Sequence, residues 1–255
     1  AELDRIIRGV GAGRVAAFVA EPVSGATLGA VVPPDDYWPA VAAVCAEHGV
    51  LLILDEVMTG FGRTGRWFAA EHWGVRPDIV TAGKGASGGY WPLGLCISSG
   101  RIHDAVTDAG TFAHGFTWSH HPVGAAVALA TIDLIERDGL VEAARLRGID
   151  ARRLLAEGLA DHPHVGEVRG LGLLNAVEFV SDRSTREPFA RSDAIAERIV
   201  AAAFARRMTT YPCTSAVDGR VGDGVLLGPP LCVSATELTT MVERLVAAVH
   251  DVLPV

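Results

Sequence analysis

Apolar and polar positions alternate between two periods along the first half of the chain. RVAAFVA (14–20) is a short apolar run that closes on Glu21-Pro22, as a buried strand does. Asp35 or Asp36 can cap a helix running to about residue 48, with Val41, Val44 and Cys45 on one face and Gly49 past its end. Residues 50–54 form a near-continuous apolar run, the pattern of a parallel strand buried on both faces. Shorter runs at 79–82 and 93–97 predict further strands. From Pro122 the small-residue stretch GAAVALATIDLIERDG predicts a helix ending at Gly139, and a second helix runs to about residue 159.

Beyond that point the texture changes. VRGLGLLNAVEFV (168–180) alternates like one half-exposed strand. Residues 192–206 place Ile195, Ile199 and Ala203 on one helical face. A short strand is expected at 225–227, before Pro229-Pro230. Ser234 and Glu237 have the spacing of a capping box, and Leu238, Met241, Leu245 and Val249 continue from it as an apolar stripe. The pattern predicts an α/β layer over 1–140 and a smaller α+β domain over 141–255. No internal repeat or low-complexity segment interrupts it.

Composition narrows the function classes. A chain of 255 residues that is 49% apolar and 20% charged can bury a sizeable core. Its formal net charge of −8 argues against non-specific nucleic-acid binding and fits small-molecule substrates. No stretch of about 18 apolar residues lacks charge or proline, so no membrane span is expected. The opening AELDRIIRGV is charged throughout, unlike a signal peptide. Cys45, Cys96, Cys213 and Cys232 lie far apart with no CxxC pair, which predicts free thiols, a cytoplasmic location and no zinc site. The chain starts at Ala1 inside an apparent helix, and is expected to be a piece of something longer.

The chemistry concentrates in LLILDEVMTGFGRTG (51–65), where an apolar run ends in Asp55 and Glu56 and then dissolves into glycine. Two kinds of machinery use such a strand tip: nucleotide hydrolases holding magnesium, and enzymes that clamp the nitrogen of a pyridoxal ring. The first requires an upstream glycine loop ending in Gly-Lys-Ser/Thr. The Gly83-Lys84 pair lies downstream and is followed by Gly85, so that cradle cannot be assembled. Asp55 and Lys84 both fall at the C-terminal ends of predicted parallel strands, where ligands collect in open α/β sheets. Burial would lower the lysine's pKa and prepare a nucleophilic amine, while the carboxylate could keep a pyridine nitrogen protonated. A plain ion pair at the sheet edge fits the spacing equally well.

Three blocks carry a resemblance: AAFVAEPVSGATLGAVVPPDDYWPAV, LLILDEVMTGFGRTGRWFAAEHWGVRPDIVTAGKGASGGYWPLG and GTFAHGFTWSHHPVGAAVALATIDLIERDGL. Together they resemble the class III aminotransferases, the branch of the aspartate aminotransferase fold that includes ω-transaminases, over nearly the whole chain. The resemblance implies an α/β protein of PLP-transferase fold type I, with a large, mostly parallel sheet domain and a smaller C-terminal α+β domain. It implies pyridoxal 5'-phosphate as cofactor, and ping-pong transfer of an amino group between an amine or amino acid and a 2-oxo acid. Lys84 would hold the cofactor as a Schiff base and shuttle the proton, and Asp55 would pair with the ring nitrogen. Val57 would pack on one ring face. Thr117 would reach across a homodimer interface to the cofactor phosphate of the other subunit. Glu21 would support the site, and Ser24 stands where some members carry a glutamine that touches the ring hydroxyl.

Arg220 and Trp91 are the candidate substrate contacts, the first as a guanidinium fork for a carboxylate. Arg63 is expected in a loop and interface role, Glu56 in a structural one, and His120-His121 at a helix start rather than on a metal. Family members carry a further domain's worth of sequence before this start, which supplies the phosphate-binding helix N-terminus and an aromatic opposite Val57. The alternative is a fragment without catalysis, or one half of a split enzyme needing a partner chain. A decarboxylase or aminomutase of the same family would use the same lysine and aspartate.

Overall fold

Four short apolar segments line up as one sheet in the computed structural model, which describes residues 2–254. These are β1 (Ala17–Ala20), β2 (Leu51–Asp55), β3 (Ile79–Ala82) and β4 (Leu95–Ser98), in the order β1-β2-β3-β4. The first three run parallel, while β4 runs antiparallel to β3. Helices α1 (Glu2–Val10) and α2 (Tyr37–His48) pack Ile7, Trp38, Val41 and Cys45 against Leu52 and Leu54 of β2. Burial of that apolar surface holds α2, because Asp36 stands at its N-cap without a side-chain capping bond. Gly49 ends it in the left-handed conformation, with φ 65°. Helix α3 (Gly100–Asp108) has no buried residue, which is why no apolar stripe announces it. Helix α4 (Pro122–Arg137) begins at the expected proline.

The segments Val23–Val32, Arg63–Gly65 and everything from Leu140 on form a second compact unit; the remainder forms the first. In the second unit, α5 (Leu140–Gly158), α6 (Ile195–Ala205) and α7 (Ala235–Val252) accompany an antiparallel sheet. Its strands are β5 (Val165–Leu171), β6 (Leu174–Phe179), β7 (Tyr211–Val217) and β8 (Val221–Leu227), in the order β5-β6-β8-β7. Leu155, Phe179, Ile199, Val225, Leu245 and Val249 form the core between sheet and helices. The single strand expected over 168–180 is a hairpin. The chain reverses at Gly172, with φ +55°, so that Leu171 pairs with Leu174. A Cβ at Gly172 would lie 2.3 Å from the backbone carbon of Thr64, so only glycine allows this turn.

The capping box of α7 is formed: Ser234 Oγ accepts the Glu237 amide, and the Glu237 carboxylate accepts the Ser234 amide at 2.8 Å. Helix α6 starts later than expected, at Ile195, after a single 3₁₀ turn over Arg191–Asp193. Its cap comes from elsewhere, since Asp223 on β8 accepts the Ala196 amide at 2.9 Å. Among the described residues no helix is long and apolar enough to cross a membrane.

One buried titratable group ties the end of α7 to the sheet. His162 is 2% exposed. Its Nε2 donates to the Leu253 carbonyl at 2.9 Å, and its Nδ1 accepts the His164 amide at 3.2 Å. Burial lowers the basicity of this imidazole, the Leu253 carbonyl opposes that, and the nearby His250, His164 and Arg183 lower it further. A depressed native pKa means that the unfolded chain takes up the proton first. The stability is therefore complete above the unfolded value of about 6.5 and is lost as pH falls through the lower native value. Thermal melts from about pH 7.5 to about pH 5 are expected to show Tm falling in the parent and a flatter profile in His162→Gln. Parallel profiles would refute the assignment.

Candidate active site

Strand β2 ends at Asp55, in register with Thr81 on its parallel neighbour β3. Two residues beyond the end of β3 the chain reaches Lys84 through Gly83. Both functional groups therefore stand at the C-terminal edge of adjacent parallel strands. Asp55 is half-buried, and its Oδ1 accepts the Val57 amide at 3.0 Å, which fixes the direction of the carboxylate. A Cβ on Gly83 would meet the Leu93 carbonyl at 3.1 Å and Val57 Cγ1 at 4.0 Å. One on Gly85 would meet Phe61 Cβ at 3.3 Å. Glycines on both sides of Lys84 thus let its backbone lie close against the turn that follows Asp55.

Lys84 itself is exposed, in contrast to the burial expected of it. It opens a single 3₁₀ turn (Lys84–Ser87) with φ 39°, and its immediate neighbours are glycines that offer no side chain to cover it. Among the described residues it forms no ion pair with Asp55, so the plain ion-pair reading does not describe this edge. Composition adds a signal that periodicity does not carry. Lys84 is the only lysine in the sequence, and every other basic side chain among the 22 Lys and Arg is an arginine. An ammonium can lose its proton and attack a carbonyl, whereas a guanidinium stays protonated.

Glu56 is wholly buried and accepts three bonds, from the Thr59 hydroxyl and from the Ala69 and Ala70 amides at 2.9 Å each. Burial raises the pKa of its carboxyl, and these donors offset that only in part. Thr117 lies in an exposed turn. Trp91 is half-buried, its ring 5.0 Å from that of His121. His121 caps α4, accepting the Val123 amide through Nδ1 at 3.2 Å, while His120 has φ 57°. Glu21 is half-buried just past the end of β1.

Ser24 and Arg220 lie in the second unit. Ser24 bridges to Val31 through the backbone, and Arg220 is exposed in the β7–β8 turn. Arg63 also belongs there, donating to the Leu173 carbonyl at 3.1 Å and to the Pro229 carbonyl. Burial without a carboxylate partner lowers its pKa to about 10. Asp55, Val57 and Lys84 are thus brought to one edge of the first unit.

The family model for aminotransferase class-III matches residues 1–249. The chain belongs to the class III aminotransferases. Its fold is theirs, PLP-transferase fold type I. It is 39% identical to the uncharacterized aminotransferase YodT of Bacillus subtilis, over 98% of this chain and 57% of that protein. A thermostable (S)-enantioselective omega-transaminase from Thermomicrobium roseum is 44% identical, with a TM-score of 0.92 over 99% of this chain and 54% of that one. An amine transaminase from an uncultivated Pseudomonas species, solved in its PLP-bound form, is 38% identical, with a TM-score of 0.90 over 98% of this chain and 55% of that one. The chain therefore spans little more than half the length of the relatives it matches.

Proposed function

We propose that the protein is a pyridoxal-phosphate-dependent aminotransferase of the ω-transaminase type, moving an amino group between an amine or amino acid and a 2-oxo acid. One observation carries this reading. The only lysine of the sequence stands at the tip of β3, beside the tip that bears Asp55, with no side-chain partner among the described residues. The donor set fits the cofactor: a primary amine for its aldehyde, a carboxylate for its ring nitrogen, and an aliphatic side chain, Val57, for one ring face. When bound, pyridoxal phosphate supplies an aldehyde that accepts the amino group and a ring that delocalises the electrons of the broken bond.

The chain's own groups do the rest. Lys84 Nζ would hold the cofactor's aldehyde group at the tip of β3 and, as a free amine, would carry the proton at the substrate carbon. Asp55, aimed by its bond from the Val57 amide, would stabilise a proton on the ring nitrogen. Thr117 in a homodimer would offer its hydroxyl to the phosphate of the other subunit's cofactor. The exposed rings of Tyr90 (85%), Phe112 (72%), Phe116 (79%) and Trp118 (78%) are the kind of surface a subunit contact covers. Glu21 and Ser24 support the cofactor, Trp91 and Arg220 meet the substrate, and the enzyme works in the cytoplasm.

The test is direct. The full-length protein is incubated with pyridoxal phosphate, reduced with borohydride, weighed intact and peptide-mapped. A single adduct on Lys84 is expected. An unlabelled Lys84 would overturn the reading.

A further inference from the structure

We propose that Glu56 is a positioning residue for the proposed transamination, a buried carboxylate that sets the aim of Asp55 and the distance between the tips of β2 and β3. The proposal rests on the cofactor reading above and adds a residue to it.

Side chains on an extended strand end alternate in direction. Asp55 and Val57 are half-buried at the ligand edge, while Glu56 between them is fully buried, pointing into the first unit. Residue 56 is held at every polar atom. Its amide donates to the Thr81 carbonyl of β3 at 2.8 Å, and its carbonyl accepts the Gly60 amide at 2.8 Å. Its carboxylate accepts the Thr59 hydroxyl on the chain leaving the strand, and the Ala69 and Ala70 amides on the chain coming back. The backbone bond links the carrier of Asp55 to the strand that delivers Lys84. The carboxylate closes the base of the intervening loop, whose Phe61 and Gly60 lie against Gly85.

A buried structural glutamate would satisfy the same bonds, so the test must read something that stability alone leaves unmoved. Glu56→Gln keeps the volume but sets an amide NH₂ among donors, and Glu56→Ala removes the clamp. Both are made in the full-length protein and loaded with pyridoxal phosphate, and the visible band of the lysine-bound cofactor is titrated against pH. The expected result is a midpoint displaced by about half a unit or more, because the carboxylate of Asp55 no longer sits at its native distance from the ring nitrogen. The kcat is expected to fall about tenfold with KM within about twofold of the parent.

A folded variant with the parent's midpoint and kcat overturns the proposal and leaves Glu56 a purely structural residue. Should neither variant fold, Thr59→Val, isosteric and lacking only the hydroxyl, is read the same way: a smaller displacement supports the proposal and none overturns it. The two levels separate cleanly. If Lys84 of the parent takes no label, the cofactor reading falls and the proposal with it. If the parent is labelled and the variants titrate unchanged, only the proposal falls.

Discussion

Lys84→Ala is expected to lower kcat by about 10⁴-fold, the upper end of what a positioned proton-transfer group supplies. It should also abolish borohydride-stable attachment of pyridoxal phosphate. The fold should survive, since the side chain is exposed and bonds to nothing among the described residues. A thermal melt matching the parent would show this. Lys84→Arg is the more informative partner. It preserves a cation at the strand tip, so an electrostatic role next to Asp55 predicts substantial rescue. A nucleophilic and proton-carrying role predicts none, because a guanidinium does not give up its proton near neutral pH. That the chain uses arginine at every other basic position makes this substitution the natural one to compare. Steady-state rates of the two variants, with an amine donor and pyruvate as acceptor, decide between the roles; activity in the arginine variant within about tenfold of the parent would refute catalysis by Lys84.

The parts of this molecule legible in its sequence are those where local chemistry and tertiary packing agree. The tip of β2, the end of α2 at Gly49 and the capping box of α7 each follow from a few adjacent residues. The hairpin at Gly172 was hidden because its turn is marked by a single glycine between leucines, with no Asn-Gly, Asp-Gly or proline to announce a reversal. Helix α3 was hidden for the opposite reason, since it buries nothing. The cap of α6 comes from Asp223, 27 positions away, and no local motif announces it. The same holds for Arg63, whose carbonyl partners lie 110 and 166 positions downstream. At the candidate site, Asp55 and Lys84 could be placed at neighbouring strand ends from the apolar pattern, whereas Val57 was singled out only by the family resemblance. The exposure of Lys84 and the threefold grip on Glu56 are properties of the folded chain and have no counterpart in the linear pattern.

Asp55→Asn is expected to lower kcat/KM by about two to three orders of magnitude, with most of the loss in kcat. The amide oxygen of asparagine can still accept the Val57 amide, which Asp55 Oδ1 accepts at 3.0 Å, so the strand end keeps its geometry. What disappears is the negative charge. A partly buried pyridinium without its carboxylate loses an interaction of the class whose disruption costs about 3–5 kcal/mol. Without that charge a ring nitrogen held there would lose its proton more readily. A neutral pyridine withdraws electrons weakly, so the penalty falls on the bond-breaking step and not on substrate binding. Cofactor affinity should drop as well, and a weaker, shifted visible band would report it. Asp55→Glu tests distance in place of charge. One additional methylene overshoots a carboxylate already fixed by the Val57 amide, and an intermediate rate is expected. If Asp55→Asn keeps kcat/KM within about twofold of the parent, Asp55 does not hold the ring nitrogen, and the strand tip must be assigned another role.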